Sequence, residues 1–216
     1  MSALEFAAIA ARVRAVSPAV EARVSENGQP WLLVPAADIQ AVGTFLRDET
    51  DLDFASLMDL SGWDQLTYPP LPVKAAAPAK PAAAGAPAAP VAPAKPEIPA
   101  LPTDVIVVIY CLHSLGHRHK VTLKVLAPRN ACAVPTVSAI WPAAIYFERE
   151  AWDLLGVDFT GHPSLRRIMC PDDWVGHGLR KDYRYPADYH GISHLREGQR
   201  FAEPAAPAAP ATGAAS

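Results

Sequence analysis

The chain has 216 residues, half of them nominally hydrophobic, with 19 basic against 22 acidic side chains and a formal net charge of -3. That balance excludes a global field for capturing nucleic acid or anionic lipid, so any basic role has to be local. The hydrophobic fraction overstates the core, because many of those residues are alanines gathered in Ala/Pro tracts that bury little surface.

The three cysteines, Cys111, Cys132 and Cys170, stand singly, with no Cys-x-x-Cys or Cys/His ligand spacing. An iron–sulfur cluster normally takes four thiolates, so these read as reduced thiols of a cytosolic protein. The longest apolar run, residues 105–112, falls short of the ~20 residues that span a bilayer. The opening Met1-Ser2-Ala3-Leu4-Glu5 lacks the features of a secretory or transit peptide, and the chain is expected to stay on the side where it is made.

Residues 4–16 place Phe6, Ile9, Val13 and Val16 on one helical face, and Ser17-Pro18 ends that helix. Residues 19–25 read as a strand, Asn27-Gly28 as a hairpin turn and residues 31–34 as the returning strand. Helical spacing resumes over 38–48 through Ile39, Val42 and Leu46. Residues 53–64 then look strand-like, with Phe54, Ser56, Met58 and Leu60 expected on one face.

Composition changes abruptly over 69–102, where 24 of 34 positions are Ala or Pro and only Lys74, Lys80, Lys95 and Glu97 carry charge. Too few side chains can be buried there, and too many prolines interrupt helix or ladder, so an extended spacer is expected. Residues 104–113 form a strand apolar on both faces, Leu115-Gly116 turns, and 119–126 alternates Val121, Leu123 and Val125 against Lys120, Thr122 and Lys124. The spacer therefore reads as an insertion in one α+β domain made of 1–68 and 103–157, a two-layer fold with a mixed sheet and helices on one face. An extended irregular segment is expected over 158–203, and a disordered Ala/Pro tail over 204–216.

The informative stretch is 141–186. Pro142 suits the first turn of a helix running to Leu155, Gly156 suits its C-terminal cap, and Ala144, Phe147, Ala151 and Leu154 are the expected buried stripe. Glu148 and Glu150, two residues apart, point about 160° apart around a helix and cannot act as an acid/base pair. Arg149 and Asp153 have the i, i+4 spacing of an exposed ion pair. Beyond Gly156 the chain is expected to be mostly loop, dense in arginine, aspartate and aromatics. A long irregular segment cannot bury its own backbone, and Arg, Trp and Tyr anchor interfaces, so this segment reads as ordered by lying on another protein, with an autonomous solvated loop as the alternative.

The run Glu148-Arg149-Glu150-x-x-Asp153-Leu154-x-Gly156-Val157-x-Phe159-x-Gly161-His162-Pro163-x-Leu165-Arg166-Arg167-Ile168 carries a resemblance, continued by Pro171-Asp172-Asp173-Trp174 and Leu179-Arg180-Lys181-Asp182-Tyr183. It resembles the signature of the 30 kDa-type peripheral-arm subunit of respiratory complex I, the NADH:quinone oxidoreductase. Weaker echoes lie in Leu57-Met58-Asp59-Leu60 with Asp64, in the 113–124 hairpin and in Trp141-Pro142-Ala143-Ala144. The resemblance implies an α+β fold docked against the quinone-site subunit and the subunit bearing the terminal iron–sulfur cluster. It also implies a peripheral place on the cytoplasmic side of a bacterial inner membrane, held there through partners only. NADH, FMN, iron–sulfur clusters and quinone would belong to the rest of the complex, with no cofactor, metal or catalytic residue in this chain. Similar subunits occur in F420H2-oxidising and hydrogenase-linked complexes, so the donor stays open. Gly178 and Arg184 stand where that family usually has proline.

The expected partner interface is therefore Glu148, Arg149, Glu150 and Asp153 on the helix, with Phe159, His162, Arg166, Arg167, Asp172, Asp173, Trp174, Arg180, Lys181, Asp182 and Tyr183 in the loop. Three rival chemistries are weaker. A metal at His113, His117 and His119 lacks a placed fourth ligand. Nucleic-acid binding by Arg166-Arg167 or Arg180-Lys181 is opposed by Asp172, Asp173 and Asp182. A hydrolase built on Asp153, Glu150 and His162 lacks a nucleophile, and no nucleotide loop is present.

Overall fold

The computed structural model describes residues 3–66, 101–186 and 188–193. Helix α1 (Ala3–Val16) leads into the hairpin β1 (Glu21–Val24) and β2 (Pro30–Leu33), a short 3-10 turn (Ala36–Asp38), and helix α2 (Ile39–Asp48). Strands β3 (Ser56–Asp64), β4 (Val105–His113) and β5 (Lys120–Pro128) follow, then β6 (Ala133–Pro135), α3 (Ala144–Leu155), β7 (Asp158–Thr160) and the small hairpin β8 (Asp188–Tyr189) and β9 (Ile192–Ser193).

The main sheet has the order β1-β2-β5-β4-β3 and is mixed: β2 runs parallel to β5, with Leu32 opposite Leu123, and the other pairs are antiparallel. Gly28, at a φ of 81°, makes the β1–β2 turn at the Asn27-Gly28 pair, where positive φ costs glycine nothing. Register decides which face is inside. Ile106, Val108, Tyr110 and Leu112 stand opposite Ala127, Val125, Leu123 and Val121, and all eight are buried on the face that receives Phe6, Ile9 and Val13 of α1 and Ile39, Val42 and Leu46 of α2. Ala144, Ala151 and Leu155 of α3 join the same core. The result is the expected two-layer α+β fold with helices on one face.

The other face is amphipathic. The Lys124 ammonium lies 4.2 Å from the Trp31 ring centroid and 5.5 Å from that of Trp63, so the stem of Lys124 covers apolar surface while its charge meets two ring faces.

Strands β3 and β4 are antiparallel neighbours, so the Ala/Pro-rich insertion occupies the connection between two paired strands. Most of the spacer, and all of the 204–216 tail, lie outside the described residues.

Three local expectations are corrected. A register shift between Leu57 and Asp59 puts Leu57 and Leu60 on the inner face and leaves Met58 half exposed, because a bulge changes the phase of alternation. In α3 the buried stripe is Ala144, Glu148, Ala151 and Leu155 in place of Phe147 and Leu154. A carboxylate at 148 takes the inward position, and Phe147 and Leu154 move to the flanks. Val16, expected on the buried face of α1, is exposed where the helix ends. Beyond Gly156 the chain is mostly loop, with the short β7 pairing in parallel with β6, Phe159 opposite Val134.

Candidate docking surface

Helix α3 ends at Gly156, which is left-handed at a φ of 72° and donates its N–H to Trp152 O. Such an end leaves main-chain carbonyls without helical partners. Here residues 177–180 supply them. His177 Nδ1 lies 2.9 Å from Asp153 O, Leu179 N donates to Leu154 O at 2.9 Å, and Arg180 Nε donates to Leu155 O at 2.7 Å. A guanidinium at the negative end of a helix is also favoured by the helix dipole. Glycine is required at 156 twice over, since a Cβ there would stand 2.6 Å from the His177 ring.

Asp153, fully buried on α3, holds the preceding stretch. Its Oδ2 accepts N–H bonds from Ile168, Met169 and Cys170 at 3.1, 2.8 and 2.8 Å, and its Oδ1 meets Arg167 Nη1 at 2.5 Å. Arg167 Nη2 continues to the carbonyls of Trp174 and Gly176. Burial works against the Asp153 charge, but the three backbone donors and Arg167 together outweigh it and hold the carboxyl below its ordinary range.

A second buried cluster lies at the end of β3. Arg129, 7% exposed, meets both oxygens of Asp64 through Nη1 at 2.6 and 2.5 Å and Asp182 Oδ1 through Nη2 at 2.6 Å. Asp64 also accepts from the N–H groups of Leu66 and Lys181, and Lys181 Nζ donates to Leu66 O. The network ties β3, the end of β5 and the 181–182 stretch together. Desolvation opposes the Asp64 charge, and the two backbone bonds with Arg129 overcome it, so its carboxyl too is held low.

The third cluster surrounds Glu148, whose side chain is fully buried. It accepts from Val137 N at 2.7 Å and Thr136 Oγ1 at 2.5 Å, and His162 Nε2 stands 4.0 Å away. His162 Nδ1 accepts from Ser164 N, which leaves Nε2 as the donor toward Ile145 O at 3.1 Å. Burial pushes the Glu148 carboxyl up to about 7, against the partial relief of its two hydrogen bonds.

The 158–193 segment also shows apolar side chains to solvent. Met169 is 63%, Val175 85% and Leu179 57% exposed, with Ile168 and Tyr185 beside them. Trp174 packs edge-on against Tyr189 at 5.0 Å between ring centroids, and Asp173 accepts from Tyr189 OH and lies 2.7 Å from His190 Nε2.

The expected interface residues thus divide. Glu148, Asp153 and Phe159 are buried in this chain's own interior and offer no side chain to a partner, and the same holds for the His162 side chain. Each of these four satisfies the chain's own backbone or core. Arg149 is not paired with Asp153 but donates to the carbonyls of Arg166 and Arg167 at 3.1 and 2.9 Å. Arg167, Arg180 and Tyr183, the last donating its OH to Val175 O, clamp the segment internally. Glu150, Arg166, Asp172, Asp173, Lys181 and Asp182 lie on the surface, and Trp174 is half-buried. Sequence reasoning missed Arg129 altogether and treated Asp64 only as a motif residue. Their pairing spans 65 positions, and no local pattern joins them. Among the described residues, no group of three or more His, Cys, Asp or Glu is placed to hold a metal ion, and no helix is long and apolar enough to cross a membrane.

A family model described as the 30 Kd subunit of respiratory-chain NADH dehydrogenase matches residues 32–189. A curated relative from Roseiflexus sp. (strain RS-1), named as a subunit of NADH-quinone oxidoreductase, is 33% identical over 181 residues, which is 83% of this chain and 84% of that protein. The protein of the same name from Chloroherpeton thalassium is 49% identical over 86 residues, 39% of this chain and 36% of the relative. Five such relatives with strong local identity are spanned by this chain over only 36% to 51% of their length. Among solved structures, a chain of the membrane-bound sulfane sulfur reductase, an archaeal respiratory membrane complex, shares the fold at a TM-score of 0.50 and 20% identity, over 78% of each chain. The trypsin-resistant fragment of Nqo5 aligns over 75% of this chain and 98% of its own, at 26% identity and a TM-score of 0.48.

Proposed function

This chain belongs to the family of respiratory-chain NADH dehydrogenase 30 kDa subunits, and from that premise we propose that it is a scaffold subunit of a proton-translocating NADH:quinone oxidoreductase. It supports the quinone-reducing module while electrons pass from NADH through partner iron–sulfur clusters to quinone. FMN, clusters and quinone belong to partners, chiefly the quinone-site subunit and the subunit with the terminal cluster. The chain contributes no catalytic residue. It sits peripherally on the cytoplasmic side of the bacterial inner membrane, attached through those partners.

One observation carries the scaffold reading. Segment 158–193 is fixed by buried polar bonds to α3 and β3, yet Met169, Val175 and Leu179 face outward. Apolar side chains held in place over a rigid backbone are the raw material of an interface core, whose ordering entropy has already been met within the chain.

Purification through a tag on this chain tests the reading. Membranes should yield a complex that contains iron–sulfur subunits and oxidises NADH with quinone as acceptor, and a strain lacking the chain should lose that activity. Recovery of the chain alone, or full activity without it, would overturn the proposal. Oxidation of F420H2 or hydrogen in place of NADH would keep the scaffold role and change the complex. The isolated chain should be colourless, and visible absorbance from a cluster or flavin would contradict the absence of a redox centre.

A further inference from the structure

Strand β3 closes one side of the main sheet, and among the described residues no strand pairs with its outer edge. The bond from Gln65 N to Val105 O sets the phase of the ladder, so the main chain of Ser61 and Trp63 points at β4 while the N–H and C=O of Leu60 and Gly62 point away from it. Among the described residues, no turn or loop backbone reaches those outward groups.

The outer edge borders a groove of about 410 Å³ lined by Gly62, Leu155 and Leu179, which continues past Leu154, Asp59 and Glu150 through a further 100 Å³. Gly62 lets Leu155 pack directly against the strand, since a Cβ there would stand 2.7 Å from Leu155 Cδ1. Leu179, more than half exposed, forms the opposite wall.

We propose that the outer edge of β3 takes an extended strand from a partner protein, one that places an apolar side chain against Leu154 and Leu179 and carries Lys or Arg beside it. Backbone groups that face an apolar trough are met by strand addition, in which main-chain bonds supply affinity and alternate side chains enter pockets. The rim beside Leu154 favours a basic strand: Glu150 is exposed, and among the described residues the Asp59 carboxylate receives the Ser61 hydroxyl at 3.0 Å, while Lys181, at the other end of the groove, donates its Nζ to Leu66 O. Residues 69–102 and 204–216 of this chain are dense in proline, which has no N–H for a ladder. The occupant therefore comes from outside those tracts. The inference rests on the reading of the chain as a subunit, because it requires a partner, and it specifies where that partner's backbone joins.

Hydrogen–deuterium exchange on the complex purified through this chain, set against the isolated full-length chain, reads the edge directly. The amides of Leu60 and Gly62 should exchange at least tenfold more slowly in the complex. Leu179→Glu places a carboxylate on the apolar wall and should remove that protection while leaving the isolated chain's Tm unchanged. Reversal of the rim by Asp59→Lys with Glu150→Lys should weaken recovery of the complex at least tenfold. If the complex assembles and the two amides exchange as fast as in the isolated chain, the strand-addition proposal is wrong and the subunit reading survives. If they are already protected in the isolated chain, the edge is covered by the chain itself and the proposal fails. If no complex is recovered, both fail together.

Discussion

The sheet-and-helix body and the 158–193 segment are held by opposite kinds of contact. In the body, apolar residues such as Val13, Leu46, Leu123 and Leu155 meet across two layers, and strands and helices satisfy their own backbones. In the segment, Phe159 and the His162 side chain are inside, with Leu165 packed partly against the core, and hydrogen bonds to Asp153, Asp64 and the carbonyls of α3 do the holding. The difference shows how an irregular stretch becomes rigid: its backbone groups must be paired somewhere. Pairing them with a helix end and two buried carboxylates leaves the apolar side chains unused. A region held this way should respond to loss of one charge, and the body should respond to loss of volume.

The largest effect should come from Asp153→Ala, which leaves three N–H groups and Arg167 without their acceptor. Removal of one partner from a buried charged pair costs about 3–5 kcal/mol. Denaturant unfolding should register that loss, with exchange at Ile168, Met169 and Cys170 rising first and β4–β5 amides responding only to global unfolding. The pH dependence has a fixed sign. A carboxyl held low in the folded state contributes stability above its unfolded value of about 3.9, and that contribution is lost as pH falls through the lower folded value. Uniform loss of protection across body and segment would break the comparison. Arg129→Met comes next, at about 3 kcal/mol, because Asp64 and Asp182 lose a shared cation while Asp64 keeps its two backbone donors. Its mark is loosening of the 181–182 stretch, visible as faster exchange at Lys181.

Glu148 tests the body in the opposite direction of pH. Its carboxyl is raised to about 7, chiefly by burial, so its contribution is full below the unfolded value of about 4.3 and is lost as pH rises through 7. Urea unfolding between pH 5 and pH 8 should show wild-type stability falling by about 2 kcal/mol over that range. Glu148→Gln should remove this slope, since an amide can still accept from Val137 N. A wild-type profile without the slope would mean that burial does not disturb this carboxylate.

Much of the body was legible because burial there follows period. The stripes of α1, Val16 excepted, and of α2, the Asn27-Gly28 turn and the β4–β5 alternation are all local patterns, and parity of neighbours carries them into the sheet. The phase of β3 was not legible, because the extra residue near Met58 has no compositional mark. The 160° divergence of Glu148 and Glu150 was correct, but which carboxylate faces inward depended on Thr136 and Val137, eleven or twelve positions away. Charge is ordinarily read as exposure, so buried Asp153, Asp64 and Arg129 were assigned to the surface or passed over. What gives them away is the number of backbone donors that converge on each, and only the folded chain brings those together.

The smallest effect on the isolated chain sharpens the comparison most. Val175→Ser and Met169→Ser alter exposed side chains that touch no buried cluster, and surface changes of this kind fall within about 0.5 kcal/mol. Their unfolding midpoints should therefore match wild type, whereas Asp153→Ala and Arg129→Met shift theirs. Recovery of the complex through a tagged chain should rank the variants differently. An apolar anchor buried on binding contributes about 1–3 kcal/mol, so the double serine variant should lose at least tenfold in recovery with its fold intact. Such a variant separates the two duties of the segment, since its polar bonds hold it to α3 and its outward face holds something else. Unchanged recovery would mean that the outward side chains are only solvated, and the scaffold would then have to bind through the sheet edge or the rim of α3.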